Sequence, residues 1–155
     1  MSAPTTAGDP AGCHLLDLLC FAVYSANLAF GRVYKPILAP FGITYTQYIA
    51  IVALGEAANQ TVGSLGEKLF LESNTLTPIL KKLEAMGYLQ RRRDPKDERQ
   101  VVVSLTAAGR ELRRKAMQSP LAQACGLPPE EFGKLRQAVA ALRDNLIKRG
   151  SGEAA

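Results

Sequence analysis

Tyr88-Leu89-Gln90-Arg91-Arg92-Arg93-Asp94-Pro95-Lys96-Asp97-Glu98-Arg99-Gln100-Val101-Val102-Val103-Ser104-Leu105-Thr106 holds two β-like runs, residues 88–91 and 100–105, around a charged centre containing Asp94-Pro95. Such a pattern predicts a β-hairpin with a charged tip. Upstream, residues 64–70 form a compact helical segment, and Ser73 is placed to cap a further helix over residues 74–86. That helix carries Leu76, Ile79, Leu80 and Leu83 on one face. Gly87 stands where a left-handed residue ends a helix. Pro78 falls in the first turn or slightly beyond, where its missing N–H costs little. Two short helices joined by Leu71-Glu72-Ser73 and followed by a basic hairpin make a winged helix-turn-helix.

Charge supports that reading. The chain has 155 residues, enough for one ordinary domain, with 19 Lys+Arg against 14 Asp+Glu and a net charge of +5. Residues 81–115 contain eleven of the basic residues and five of the acidic ones, and the rest of the chain holds eight and nine. An excess confined to one stretch points to a polyanion-docking surface, against the plainer reading of a solvated helix face. The predicted recognition helix begins with Ser73, Asn74, Thr75 and Thr77, small enough to approach base edges and phosphates, and Lys81 and Lys82 follow. The hairpin adds Arg91, Arg92, Arg93, Lys96 and Arg99, suited to the backbone or to an adjacent minor groove. Ser-Asn-Thr at a helix start is alone no more than a cap; inside this arrangement it predicts binding to double-stranded DNA, with affinity falling steeply in salt.

The remaining segments read as mainly α. Hydrophobic residues make up 47% and charged residues 21%, which fits a globular chain; aromatics are 6% and there is no Trp. Residues 1–12 read as a loose tail and residues 150–155 as another. Residues 15–31 form a helix that is apolar on most of its circumference, which in a small chain calls for burial against a second copy, hence a homodimer. Pro36 and Pro40 are expected to break residues 33–41 into a short helical turn and a corner. Thr44 or Thr46 caps a helix over residues 47–58, residues 61–63 are extended, and Thr106 caps a helix over residues 107–118 that Ser119-Pro120 interrupts. Pro128-Pro129 with Glu130 and Glu131 opens the last helix, to about Arg149. The division expected is a helical dimerisation region over 13–45 and 107–149, and a DNA-binding lobe over 46–106. Residues 15–30 hold 13 apolar residues in 16 but include Asp17, Ser25 and Asn27, too short and interrupted for a membrane span. With no secretory pattern and three unevenly spaced Cys, the expectation is a cytoplasmic protein with reduced thiols and no membrane partner.

The run Arg93-Asp94-Pro95-Lys96-Asp97-Glu98-Arg99-Gln100-Val101-Val102-Val103-Ser104-Leu105-Thr106, with Ala107-Ala108-Gly109, resembles the wing signature of MarR-type repressors. The similarity extends over about residues 15–149. It implies a homodimer with interlocked N- and C-terminal helices, whose winged lobes straddle a palindromic operator. It also implies that Asp97 pairs with Arg93 or Arg99 to stiffen the wing, and that one of those arginines reaches the minor groove.

A switch would need an input. Cys20 lies among apolar neighbours in Leu18-Leu19-Cys20-Phe21-Ala22-Val23-Tyr24, a setting in which a Cys is usually a small packing residue. Three features argue for more: Tyr24 one helical turn on, Tyr34 and Tyr45 in a chain with five tyrosines, and a second thiol, Cys125, between helices. The spacing of Cys20, Tyr24, Tyr34 and Tyr45 is similar to that of the organic hydroperoxide resistance regulators, the OhrR branch of the MarR family. That resemblance implies Cys20 as peroxidatic sensor, with Tyr34 and Tyr45 of the partner protomer as phenolic hydrogen-bond donors and organic hydroperoxides as inducer. Phenol donors stabilise a thiolate, the nucleophile toward an O–O bond, and the apolar walls from Leu16, Leu19, Phe21 and Val23 favour organic hydroperoxides. By the same resemblance Cys125 is the resolving thiol of an intersubunit disulfide, the two-cysteine pattern. Cys13, seven residues from Cys20 and so about 10 Å away in a helix, is beyond disulfide reach and stays unassigned. His14 is the only histidine, and no metal, cofactor or enzymatic residue set is visible. Two alternatives are a MarR-type repressor released by a noncovalent aromatic ligand and a thiol peroxidase.

Overall fold

A computed structural model describes residues 14–118 and 125–152. Cys13, the N-terminal tail and the Ser119-Pro120 interruption lie outside the described residues. A short 3-10 turn, Leu15–Asp17, precedes helix α1, Leu19–Leu38, so the apolar segment starts later and runs further than its sequence suggests. Pro36 sits inside α1 and does not break it. The reason is position: two residues from the end, its missing N–H forfeits one bond, while Tyr34 and the almost fully buried Leu38 anchor the last turn. Pro40 falls in the 3-10 turn Ala39–Phe41, and Gly42 reverses the chain at φ 67°.

Helix α2, Tyr45–Leu54, begins in a capping box: Thr44 Oγ1 accepts from the Gln47 N–H at 3.3 Å, and Gln47 Oε1 accepts from the Thr44 N–H at 2.9 Å. Strand β1, Gln60–Thr61, is followed directly by helix α3, Val62–Leu69. The extended reading of residues 61–63 is therefore corrected: Thr61 caps the Ser64 N–H at 3.1 Å and draws Val62 and Gly63 into the helix. Helix α4, Ser73–Ala85, has Glu72 at its N-cap without a side-chain cap, so Ser73 is a helical residue and not the cap. The turn between α3 and α4 places Phe70, not a glycine, in the left-handed region at φ 56°.

Strands β2, Leu89–Arg93, and β3, Val101–Leu105, pair antiparallel with Leu89 opposite Leu105 and Arg93 opposite Val101. β1 adds to the other edge of β3, giving the order β1-β3-β2. Helix α5, Ala107–Met117, is tied to this sheet through Thr106, whose hydroxyl donates to Gly87 O at 2.6 Å and accepts from the Gly109 N–H at 3.1 Å. Gly87 ends the α4 segment at φ 80° as expected. At Gly109 a Cβ would collide with the Tyr88 carbonyl, so only glycine lets α5 approach the strand this closely. Ile51, Leu65, Leu76, Leu80, Leu83, Leu89 and Val103 are fully buried and form the core of the winged lobe. Residues to Ala116 make one compact unit and residues from Met117 another. The second contains helix α6, Pro129–Gly150, with Glu130 and Glu131 in its first turn, Lys148 and Arg149 in its last, and no buried residue. The mainly α architecture with a small β wing is a winged helix-turn-helix. No single described helix is long and apolar enough to cross a membrane.

Candidate functional site

Helix α4 presents an open N-terminus. Ser73, Asn74, Thr75 and Pro78 are exposed and Thr77 is half-buried, while Leu76, Leu80 and Leu83 on the opposite face anchor the helix in the core. Without a capping side chain, the first N–H groups are turned outward, the arrangement that suits a phosphate oxygen. Lys81 and Lys82 stand exposed further along. Between α3, α4 and the wing lies an open groove of about 580 Å³, whose lining includes Ser64, Ser73, Thr77, Arg91, Arg99 and Gln100.

The wing tip is built by two aspartates. Asp94 Oδ1 accepts from the Lys96 N–H at 2.8 Å, and Asp97 Oδ1 accepts from the Arg99 N–H at 3.1 Å. Asp97 Oδ2 also accepts from Gln100 Nε2 at 3.2 Å. The expected pairing of Asp97 with Arg93 or Arg99 is thereby corrected, because the Asp97 carboxylate is occupied by backbone and amide donors within the turn. Both guanidinium groups are left at the surface with no ion pair among the described residues, and Lys81, Lys82 and Lys96 share that condition.

The other basic residues of the 81–115 window are committed to structure. Arg91 pairs with Glu84 at 2.7 Å, and Arg92 Nη2 donates to Asn59 Oδ1 at 2.8 Å. Arg110 Nη1 donates to Leu105 O at 2.9 Å, and Arg113 Nε to Val52 O at 3.3 Å, near the C-terminus of α2. Arg114 and Lys115 flank Glu111, and the Arg114 hydrogen bond, with smaller help from its charge and from Lys115, lowers the Glu111 pKa to about 2. The charge excess of the sequence thus resolves into five uncommitted cations, two on the later turns of α4 and three on the wing, and a set that braces the fold.

On α1, Cys20 is exposed and Tyr24 is 59% exposed, with the Tyr24 ring 6.4 Å from Phe21. Tyr34 is buried further along and stacks obliquely on Tyr45, centroids 4.8 Å apart, and on Tyr48 at 5.3 Å. The structure therefore brings Tyr34 and Tyr45 together within one chain and leaves Tyr24 apart from them. Burial pushes the Tyr45 phenol up. Burial also raises Tyr48, against the Arg113 charge and a hydrogen bond with Tyr34. Tyr48 was absent from the sequence-derived set; its position one turn after Tyr45 on the same helix face is the signal that could have found it. Cys125 is half-buried in the turn that precedes α6. No group of three or more His, Cys, Asp or Glu among the described residues could hold a metal.

Comparison with known proteins places these features in a lineage. A family model described as transcriptional regulator SarA/Rot matches residues 32–116. The HTH-type transcriptional regulator TtmR of Methylorubrum extorquens is 44% identical over 138 residues, 87% of this chain and 71% of the relative. The organic hydroperoxide resistance transcriptional regulator of Bacillus subtilis is 41% identical over 128 residues, 83% of this chain and 86% of the relative. Among solved structures, AbfR of Staphylococcus epidermidis is similar in its reduced, DNA-bound form, with 36% identity, TM-score 0.71 and 86% and 94% of the two chains covered. Its disulfide-formed state is similar with 37% identity, TM-score 0.61 and 83% and 91% covered. The family is one of transcriptional regulators and not of enzymes. With residues 32–116 inside the family model and relatives above 40% identity over most of its length, the chain belongs to the MarR-like SarA/Rot transcriptional regulators, on their organic hydroperoxide resistance branch.

Proposed function

We propose that this protein is a redox-sensing repressor that binds palindromic operator DNA as a homodimer and is released when organic hydroperoxides oxidise Cys20. The observation that carries the reading is the set of uncommitted cations on the wing and on α4, Lys81, Arg93, Lys96 and Arg99 among them, together with the open N-terminus of α4. Ser73, Asn74, Thr75, Thr77 and Pro78 would approach the major groove, and Arg93 or Arg99 the flanking minor groove. The DNA-bound AbfR relative and the hydroperoxide resistance relative support both halves of the switch. Homodimerisation is supported by the exposed Leu16 of the 3-10 turn and Leu19, Leu28 and Val33 of α1, an apolar surface that water disfavours.

The chemistry is thiol oxidation. The Cys20 thiolate attacks the distal peroxide oxygen; the O–O bond breaks, the alkoxide leaves and is protonated to the alcohol, and sulfur keeps oxygen as sulfenic acid. The partner's Cys125 thiolate then attacks that sulfur, forming the S–S bond as the S–O bond breaks and hydroxide leaves, taking a proton from solvent to become water. Phenols at Tyr34 and Tyr45 would favour the thiolate beforehand by donating hydrogen bonds. Tyr24, one turn beyond Cys20, completes the sensor surround.

Gel shift of operator DNA before and after one equivalent of cumene hydroperoxide tests this on wild type, Cys20→Ser and Cys125→Ser. Wild type should release DNA and form a reducible dimer on a denaturing gel. Cys125→Ser should stop at sulfenic acid without that dimer. Release by oxidised Cys20→Ser would defeat the sensor assignment, and release by an aromatic ligand alone would favour noncovalent induction.

A further inference from the structure

Arg91 stands apart from the other wing cations, and strand geometry explains why. Alternation along β2 puts Leu89, Arg91 and Arg93 on one face and Gln90 and Arg92 on the other. Leu89 is buried and Arg93 is at the tip, so Arg91 occupies the middle of the face turned toward α4. There Glu84, in the last turn of α4, takes three donors from this single residue. Glu84 Oε1 accepts from the Arg91 backbone N–H at 3.0 Å, and Oε2 accepts from Nε at 2.9 Å and Nη2 at 2.7 Å. The two side chains are only 25% and 34% exposed. One carboxylate thus ties the end of the recognition helix to both the main chain and the side chain of the first wing strand. Those Arg91 bonds hold the Glu84 carboxyl below its ordinary range.

Arg91 also lines the groove between α3, α4 and the wing, as does Arg99, which carries no carboxylate partner. A bare guanidinium on that wall would attract phosphate whatever the base sequence. We propose that Glu84 is a specificity-determining positioning residue: it sets the wing against the recognition helix and withholds Arg91 from the DNA backbone. The inference rests on the DNA-binding reading above.

Its test is the salt dependence of binding to two probes, a duplex enriched by the wild-type protein from a randomised pool and a random-sequence duplex. Glu84→Gln keeps one acceptor oxygen but frees the guanidinium. Its slope of log K against log salt should steepen by about 1.8, two phosphates' worth with one from each protomer of the dimer, and its preference for the enriched duplex should fall about tenfold. Glu84→Gln/Arg91→Gln removes both charges and should return the slope to the wild-type value. A double variant about 1.8 shallower than wild type would show that Arg91 of both protomers already contacts phosphate and overturn the proposal. A Glu84→Gln protein with wild-type slope and preference would overturn it as well. The double variant, which strands no lone charge, carries the test alone should Glu84→Gln not fold. Wild type that enriches no duplex would bring down the DNA-binding reading and this inference together.

Discussion

The winged lobe and the two long helices treat the same residue types in opposite ways. From α2 to β3 no leucine or valine is exposed, and Leu65, Leu76, Leu80, Leu83 and Val103 are wholly buried. Along α1 the change occurs within one helix. Leu19, Val23, Leu28 and Val33 are exposed, whereas Tyr34 and Leu38 in the last turns are buried. Helix α6 has no buried residue and exposes Leu135, Val139, Leu146 and Ile147. A lobe that satisfies itself and helices that do not are different kinds of object. The lobe's stability is a property of one chain, and the helices' apolar surface calls for a partner.

Charging the α1 surface should break that contrast most severely. Leu28→Glu/Phe30→Glu places two carboxylates on exposed apolar positions, outside the lobe core and away from Cys20. The lobe should remain folded, while sedimentation gives a monomer and operator affinity falls by about 100-fold or more, because two half-sites no longer bind as one unit. A variant that stays dimeric with wild-type operator affinity would remove α1 from the interface. The core answers differently. Leu80→Ala leaves a cavity at a fully buried site where α4 packs on the rest of the lobe. It should lower unfolding stability by about 2–5 kcal/mol in urea titration without changing the association state of the folded protein. A loss below about 1 kcal/mol would mean that the lobe core is less closely packed than its burial implies.

The same contrast explains which features were legible in the sequence. The hairpin was readable because alternating and charged residues have one arrangement that keeps Leu89, Val103 and Leu105 inside and Lys96 out. Thr106 and Gly87 were readable because each role has few competent residue types. Pro36 misled because a local breaker rule ignores how close the helix end is and how well Leu38 is anchored. The start of α3 misled because Thr61 serves strand and cap at once. At the DNA-facing surface, composition reported the charge but not its commitments. Arg91 and Arg99 read alike as arginines in a wing. Separating them needed the parity of β2 and the distant Glu84. The tyrosines were visible as a spacing, but Tyr48 was hidden because it also serves as core.

Phe70 offers the finest adjustment of the lobe against the helices. It holds a left-handed φ of 56° at the α3–α4 turn, where a Cβ costs about 1–2 kcal/mol, and its side chain is 56% exposed. Phe70→Gly removes that strain but adds backbone freedom to the unfolded chain, about 0.5–1 kcal/mol in the other direction, and forfeits whatever packing the half-exposed ring retains. The net expectation is a gain of about 0.5 kcal/mol, read as a small rise in the urea midpoint at constant m-value. The change lies inside the lobe, so the association state should not move with it. A loss of stability would show that the Phe70 ring contributes more to the turn than its exposure suggests. A shift in dimerisation would show that the lobe and the helices are not energetically separate.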